Sequence, residues 1–139
     1  MTNLNVAAAQ LKDARIILEE AKESFEKGHF HRTVRKCQES VELALKGLLK
    51  LKGVEYPKSH KIGKVLAGTL AGDVDAVFLS RAVSLSDQLA DDREPSFYGS
   101  DEAPADELFS VDSARQILEE ATFVVAFVAK LVGSDGLGR

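Results

Sequence analysis

The sequence predicts an all-α protein, an up-and-down antiparallel bundle of four to five helices. Three observations carry that expectation. Apolar residues recur every three or four positions through most of the chain. Nothing alternates with period two over enough residues to make a strand, and glycines and prolines cut the pattern into helix-length pieces.

Leu4, Ala8, Leu11, Ala14, Leu18, Ala21 and Phe25 make the first stripe, ending near Gly28. A glycine there suits the left-handed residue on which helices often stop. Phe30, Val34, Cys37, Val41, Ala44, Leu45 and Leu48 make the second, ending near Gly53. The short gap between them implies an antiparallel helical hairpin. Val54–Ser59 is a connector, because Pro57 disfavours helix at Tyr56 and opens a turn. A short third helix is expected around Lys61–Leu70, carrying Ile62, Val65, Leu66 and Leu70. Asp73 is the expected cap of a fourth, striped by Val74, Val77, Phe78, Ala82, Leu85 and Leu89. Residues 93–110 then break the pattern with Pro95, Gly99 and Pro104.

Ser110 reads as the N-cap of the last helix, with Asp112 in the first turn where the helix dipole favours an acid. Its stripe runs through Ala114, Ile117, Leu118, Ala121, Val124, Val125, Val128, Leu131 and Val132. Phe123 and Phe127 make this helix apolar on more than one face, so it must be buried on several sides. A subunit interface is the favoured place for it, and the centre of a single domain is the other. One domain over 1–132 with a flexible tail over 133–139 is the expected organisation.

A chain of 139 residues fits one domain. It is 45% hydrophobic and 29% charged, the balance of a globular protein. The longest apolar run, Phe123–Ala129, falls far short of the roughly 18 residues of a membrane span. Met1–Asn5 lacks the basic start and apolar stretch of a signal peptide, so a cytoplasmic protein without membrane attachment is expected. Cys37 is the only cysteine, which excludes an internal disulfide and CxxC-type metal spacing. The net charge of −4 hides a division. Residues 12–64 hold 13 Lys and Arg against 8 Asp and Glu, whereas 65–139 hold 5 against 14. That asymmetry fits a basic face for an anionic ligand, complementarity between subunits, or merely solvated helices.

Motifs for phosphate loops (GxxxxGK[ST]), zinc hydrolases (HExxH) and serine hydrolases (GxSxG) do not occur. Cys37 lies at the centre of an apolar stripe and reads as a buried small hydrophobe. His29 and His31 are two apart and do not face each other on a helix, so no metal site is expected. Gln38, Glu42 and Lys46 are spaced by four beside the second stripe. Glu42–Lys46 by itself reads as an ion pair worth roughly 0.3–0.5 kcal/mol. Arg32, Arg35 and Lys36 add positive charge to the same helix, as a solvated face or a phosphate contact. His60 reads as a partly exposed residue at a helix start. Arg93 and Tyr98 stand five residues apart where the backbone is expected to leave the fourth helix. Arg81, at the margin of that helix's stripe, is expected to snorkel to solvent.

The run Cys37–Leu49 (CQESVELALKGLL), then Ser59-His60, then Arg93–Gly99 (REPSFYG), resembles the HEPN domain family over nearly the whole chain. The resemblance implies an up-and-down helical bundle that usually forms a homodimer and is often encoded beside a minimal nucleotidyltransferase. Many members are metal-independent ribonucleases whose site is built at the dimer interface. Their motif is an arginine, a few residues and a histidine, supported by a polar residue of the second helix. Arg93 matches the arginine and Glu42 the polar support. The histidine is missing, and Tyr98 stands in that stretch. With an ordinary pKa of about 10, tyrosine is a poor base at neutral pH but still hydrogen-bonds or stacks on a nucleobase.

The expected function is therefore a non-catalytic nucleotide- or RNA-binding module, without cofactor or metal. It acts with a nucleotidyltransferase partner in a toxin–antitoxin-like pair. Arg93 would hold phosphate, Glu42 would orient Arg93, Tyr98 would stack, and Lys46 and His60 would assist. One alternative is a metal-independent ribonuclease toxin with a degenerate motif, using Arg93, Glu42 and Tyr98. The other is a purely structural helical interaction protein. Residues 87–107 hold eight acids and one arginine, and they oppose RNA unless neutralised or turned away.

Overall fold

The computed structural model describes residues 2–56 and 58–136. Among them the regular structure is helical throughout: α1 (Asn3–Glu26), α2 (Phe30–Leu51), α3 (Gly63–Leu70), α4 (Ala76–Tyr98), α5 (Ala105–Leu108) and α6 (Val111–Gly136). Pro57, the expected turn former, lies outside the described residues, as do 137–139. Helix α6 continues to Gly136, past the point where the sequence places the start of a tail.

The expected α1–α2 hairpin forms. Thr2 caps α1 by accepting the Asn5 amide at 3.1 Å. The face that α1 presents to α2 is lined by Ala7, Leu11, Ala14, Leu18 and Ala21, all buried. Small side chains let the two backbones approach closely. A Cβ on Gly47 of α2 would meet the Ala7 carbonyl oxygen at 3.4 Å. At the same seam the buried Ser40 hydroxyl donates to the Ala14 carbonyl at 2.6 Å. Phe25 and Phe30 pack across the turn with ring centroids 5.6 Å apart.

Helix α3 buries Ile62, Leu66 and Leu70 against the bundle. The fourth helix starts later than the sequence suggests. Its cap is Asp75, whose carboxylate accepts the Phe78 amide at 2.9 Å, while Asp73 instead pairs with Lys52 at 3.4 Å. The expected break at residue 93 is also absent, since α4 runs through Pro95 to Tyr98. A proline costs its own N–H bond and crowds the carbonyl four residues back. Here local and tertiary bonds hold the last turn: Gly99 N–H donates to the Pro95 carbonyl at 2.9 Å, and Ser96 Oγ donates to the Arg93 carbonyl at 2.9 Å. The short α5 lies inside the stretch expected to be irregular. Ser110 caps α6 as expected, its Oγ accepting the Ser113 amide at 3.1 Å.

Helix α6 packs against α1, α2 and α4. Ala114, Ile117, Ala121, Val124, Val125, Val128 and Val132 are buried, and Phe127 stacks on Phe78 at 4.3 Å. One apolar face of this helix is thus taken up within the chain, while Leu118, Phe123, Phe127 and Leu131 beside it are only partly buried. Arg81 stays partly exposed, as expected, and also finds a partner. Its guanidinium bonds Glu120 of α6 and lies over Phe123, 3.5 Å from the ring centroid.

Candidate functional site

The four-residue spacing on α2 places Gln38, Glu42 and Lys46 in a line, and Glu42 is the hub of a polar cluster. Its Oε1 accepts from Gln38 Nε2 at 2.7 Å, and its Oε2 accepts from Lys46 Nζ at 3.1 Å. His60, from the connection before α3, brings Nδ1 to 2.7 Å from Oε1. The Glu42 and Lys46 side chains are only 18% and 16% exposed, so their attraction is less screened than that of a surface pair. A carboxylate can only accept. Nδ1 of His60 therefore carries the shared proton, and Nε2 is left as the free ring nitrogen. Lys46 also sits over the Tyr56 ring at 5.5 Å.

Next to this cluster is a groove of about 380 Å³. Glu39, Glu42, Lys46 and His60 line one side, and Arg93 and Phe97 of α4 line the other. The groove thus gathers four of the five residues singled out from the sequence: Glu42, Lys46, His60 and Arg93. The fifth, Tyr98, is 79% exposed and is not part of its lining. Arg93 makes no hydrogen bond to Glu42 among the described residues. Its guanidinium lies instead 5.5 Å from the Phe97 centroid. Glu42 is occupied by Gln38, Lys46 and His60, so it does not orient Arg93 as expected. Of the α4 carboxylates, none lines the groove. Asp91 pairs loosely with Lys61 at 3.8 Å, and burial, then the neighbouring Asp91, pushes the Asp92 carboxyl above its ordinary value.

The residue that the sequence did not single out by itself is Arg35. Its Nε donates to the Ser96 carbonyl at 3.1 Å, and its guanidinium lies over Phe97 at 4.3 Å. These contacts hold the last turn of α4 after Pro95. Burial, then the adjacent Arg32, lowers the Arg35 pKa, against smaller opposing effects of Glu39 and Tyr98. Burial, Arg35 and Arg32 likewise lower that of His31. Among the described residues, no group of three His, Cys, Asp or Glu side chains is placed to hold a metal ion. No described helix is long and apolar enough to cross a membrane.

Comparison with known proteins agrees with this architecture. The HEPN domain family matches residues 7–131, and the chain belongs to that family. Its fold is similar to the crystal structure of TT1696 from Thermus thermophilus, with TM-score 0.72 and 27% identity over 91% of this chain and 98% of that one. It is also similar to the crystal structure of ST0689, an archaeal HEPN homologue, with TM-score 0.69 and 26% identity over 91% and 97%. No protein of curated function matches the chain.

Proposed function

We propose that the groove between α2 and α4 binds the phosphate of a nucleotide or of RNA. The observation that carries this reading is the convergence of Lys46, His60 and Arg93 on one groove, where Glu42 is already engaged by protein partners. An engaged carboxylate repels an incoming anion less than a free one, and Arg93 has no ion-pair partner among the described residues. Arg93 is the phosphate ligand. Glu42 fixes Lys46 and His60 and so shapes the wall facing it. Membership of the HEPN family supports the same class of ligand.

In this reading the chain is a cytoplasmic homodimer that acts with a minimal nucleotidyltransferase in a toxin–antitoxin-like pair. A solution mass of monomer alone at micromolar concentration would remove the dimer. Titration of adenosine monophosphate and single-stranded RNA against wild type and Arg93→Ala tests the groove. Affinity is expected to fall about tenfold or more, the effect of losing a charge-assisted contact. Unchanged affinity for both ligands overturns the assignment.

One observation favours a second reading, a metal-independent ribonuclease. His60 supplies an imidazole to the groove that the Arg93–Tyr98 stretch does not, and Glu42 orients it through Nδ1. Nε2 would accept the 2′-hydroxyl proton as the 2′-oxygen bonds to phosphorus, with Arg93 balancing the phosphate charge. The P–O5′ bond breaks and water protonates the leaving oxygen. Cleavage without metal that is lost in both His60→Ala and Arg93→Ala, and kept in Lys64→Ala, supports this reading. Absence of cleavage by wild type ends it.

A further inference from the structure

Phe97 carries two guanidinium groups. Arg35 lies 4.3 Å and Arg93 5.5 Å from its centroid, so the two are at most about 10 Å apart. Neither forms an ion pair among the described residues, and neither does Arg32, one helical turn before Arg35. Of the other described arginines, Arg81 pairs with Glu120 and Arg115 with Asp112, while Arg15 forms no ion pair among the described residues. Arg35 spends only Nε on the protein, at the Ser96 carbonyl, and its terminal nitrogens have no hydrogen-bond partner among the described residues. Holding unpaired cations side by side costs energy: burial first, and neighbouring arginines second, lower the pKa values of Arg35 and His31. An anion bridging them relieves that cost. Beside this cluster stands Tyr98, 79% exposed and packed against Phe97 with centroids 5.9 Å apart. An exposed aromatic next to unpaired arginines is the pairing that proteins use on single strands, stacking for bases and cations for phosphates.

The positions also fall on one line. Lys46, Glu42, Glu39, Arg35 and Arg32 succeed one another at three- and four-residue steps along one face of α2. Lys46 and Arg35 are eleven residues apart, about 16 Å along the axis at 1.5 Å per residue. The groove described above covers only the Lys46 end of this line, and Arg35 and Tyr98 lie beyond its lining.

We infer that the site continues from the groove over Phe97 to Arg35, Arg32 and Tyr98, and that its ligand is a single strand of RNA spanning both parts rather than a mononucleotide. This rests on the groove reading and deepens it. Arg93 holds one phosphate in the groove, Arg35 with Arg32 holds a phosphate further along the same strand, and Tyr98 stacks on a base between or beyond them. Arg35 thereby does two things, fixing the end of α4 through Ser96 and offering its free nitrogens to the strand.

The test measures binding of adenosine monophosphate and of a short labelled oligouridylate to the full chain over a range of salt. Wild type, Arg93→Ala, Arg35→Ala and Arg32→Ala are compared. Arg32→Ala removes an exposed side chain that has no hydrogen-bond or ion-pair partner among the described residues, so it reads the charge contribution even where Arg35→Ala loosens the end of α4. The expected result is that Arg93→Ala weakens both ligands. Arg35→Ala weakens the oligouridylate roughly tenfold, and both it and Arg32→Ala lower the slope of log affinity against log salt by about 1. Monophosphate affinity in Arg32→Ala stays within about twofold of wild type. Wild-type oligouridylate binding that is unmoved in affinity and salt slope by Arg35→Ala and Arg32→Ala, while Arg93→Ala abolishes it, overturns the extension and leaves the groove standing. Binding of neither ligand by wild type overturns the groove itself, and the extension with it.

Discussion

His60 reaches back eighteen residues along the chain to Glu42, its Nδ1 lying 2.7 Å from Oε1. One carboxylate on α2 thereby ties down the connection that leads into α3, while its other oxygen holds Lys46. This makes Glu42 a structural as well as an electrostatic centre, and the first prediction concerns the energy it carries.

Replacing Glu42 by alanine leaves Lys46, only 16% exposed, without its counter-charge. The expected loss is about 2 kcal/mol, above what an exposed pair contributes. A double-mutant cycle with Lys46→Ala in urea is expected to give a coupling near 1 kcal/mol. A coupling below about 0.3 kcal/mol, the range of solvent-exposed pairs, would show that burial adds nothing here.

Cys37 is fully buried, and burial pushes its thiol from an ordinary 9.0 up to about 12. The unfolded chain therefore releases this proton before the folded one does. The thiol's contribution to stability is fully present below pH 9 and is lost as pH rises toward 12, at up to about 1.4 kcal/mol per pH unit. Cys37→Ala lacks this term, so the stability gap between wild type and variant is expected to narrow above pH 9. A gap that stays constant from pH 8 to pH 11 contradicts the prediction. In the folded protein the same thiol is expected to react with disulfide reagents only as fast as the chain opens.

Gly99 follows α4 with φ of 75°, and a Cβ there would meet the backbone of Ala103 and Ala105 at 2.7 and 2.8 Å. Gly99→Ala thus combines a left-handed backbone with contacts that no side-chain rotation relieves. Destabilisation of at least about 2 kcal/mol is expected by thermal or urea unfolding. A loss under about 0.5 kcal/mol would mean that the turn after Tyr98 shifts without cost.

Ser40→Ala removes the buried bond from α2 to the Ala14 carbonyl. A loss of about 1 kcal/mol is expected, with helicity by circular dichroism unchanged, because alanine favours helix. A variant as stable as wild type would place the hairpin's cohesion wholly in its alanine seam.

Much of this was legible in the amino-acid pattern, for particular reasons. The stripes of α1, α2 and α6 are long and bounded by glycine or serine, so both their period and their ends are encoded locally. The Glu42–Lys46 pair was legible because i,i+4 spacing on a helix fixes geometry without knowledge of the fold. The end of α4 was not. Proline signals a stop within its own segment, and the bonds that override it come partly from Arg35, sixty-one residues away at the Ser96 carbonyl. The cap of α4 was misplaced by two residues because Asp73 and Asp75 are locally equivalent candidates. His60 was visible as a residue but not as a partner of Glu42, since its place depends on the path of the connector. Tyr98 enters the expected site through its place in the Arg93–Gly99 stretch that resembles the HEPN motif. On a helix, residues five apart do not share a face, so continuing α4 to Tyr98 turns the phenol away from the lining.

The packing of α6 against three earlier helices has a consequence for how the domain is made. The ribosome delivers this helix after α1, α2 and α4, the three elements it packs against. Until Val124, Val125 and Val128 emerge, the nascent chain holds Val41, Leu45 and Phe78 without the neighbour that seals them. The core is therefore completed only once residues 124–128 have emerged, after the α1–α2 hairpin is already available.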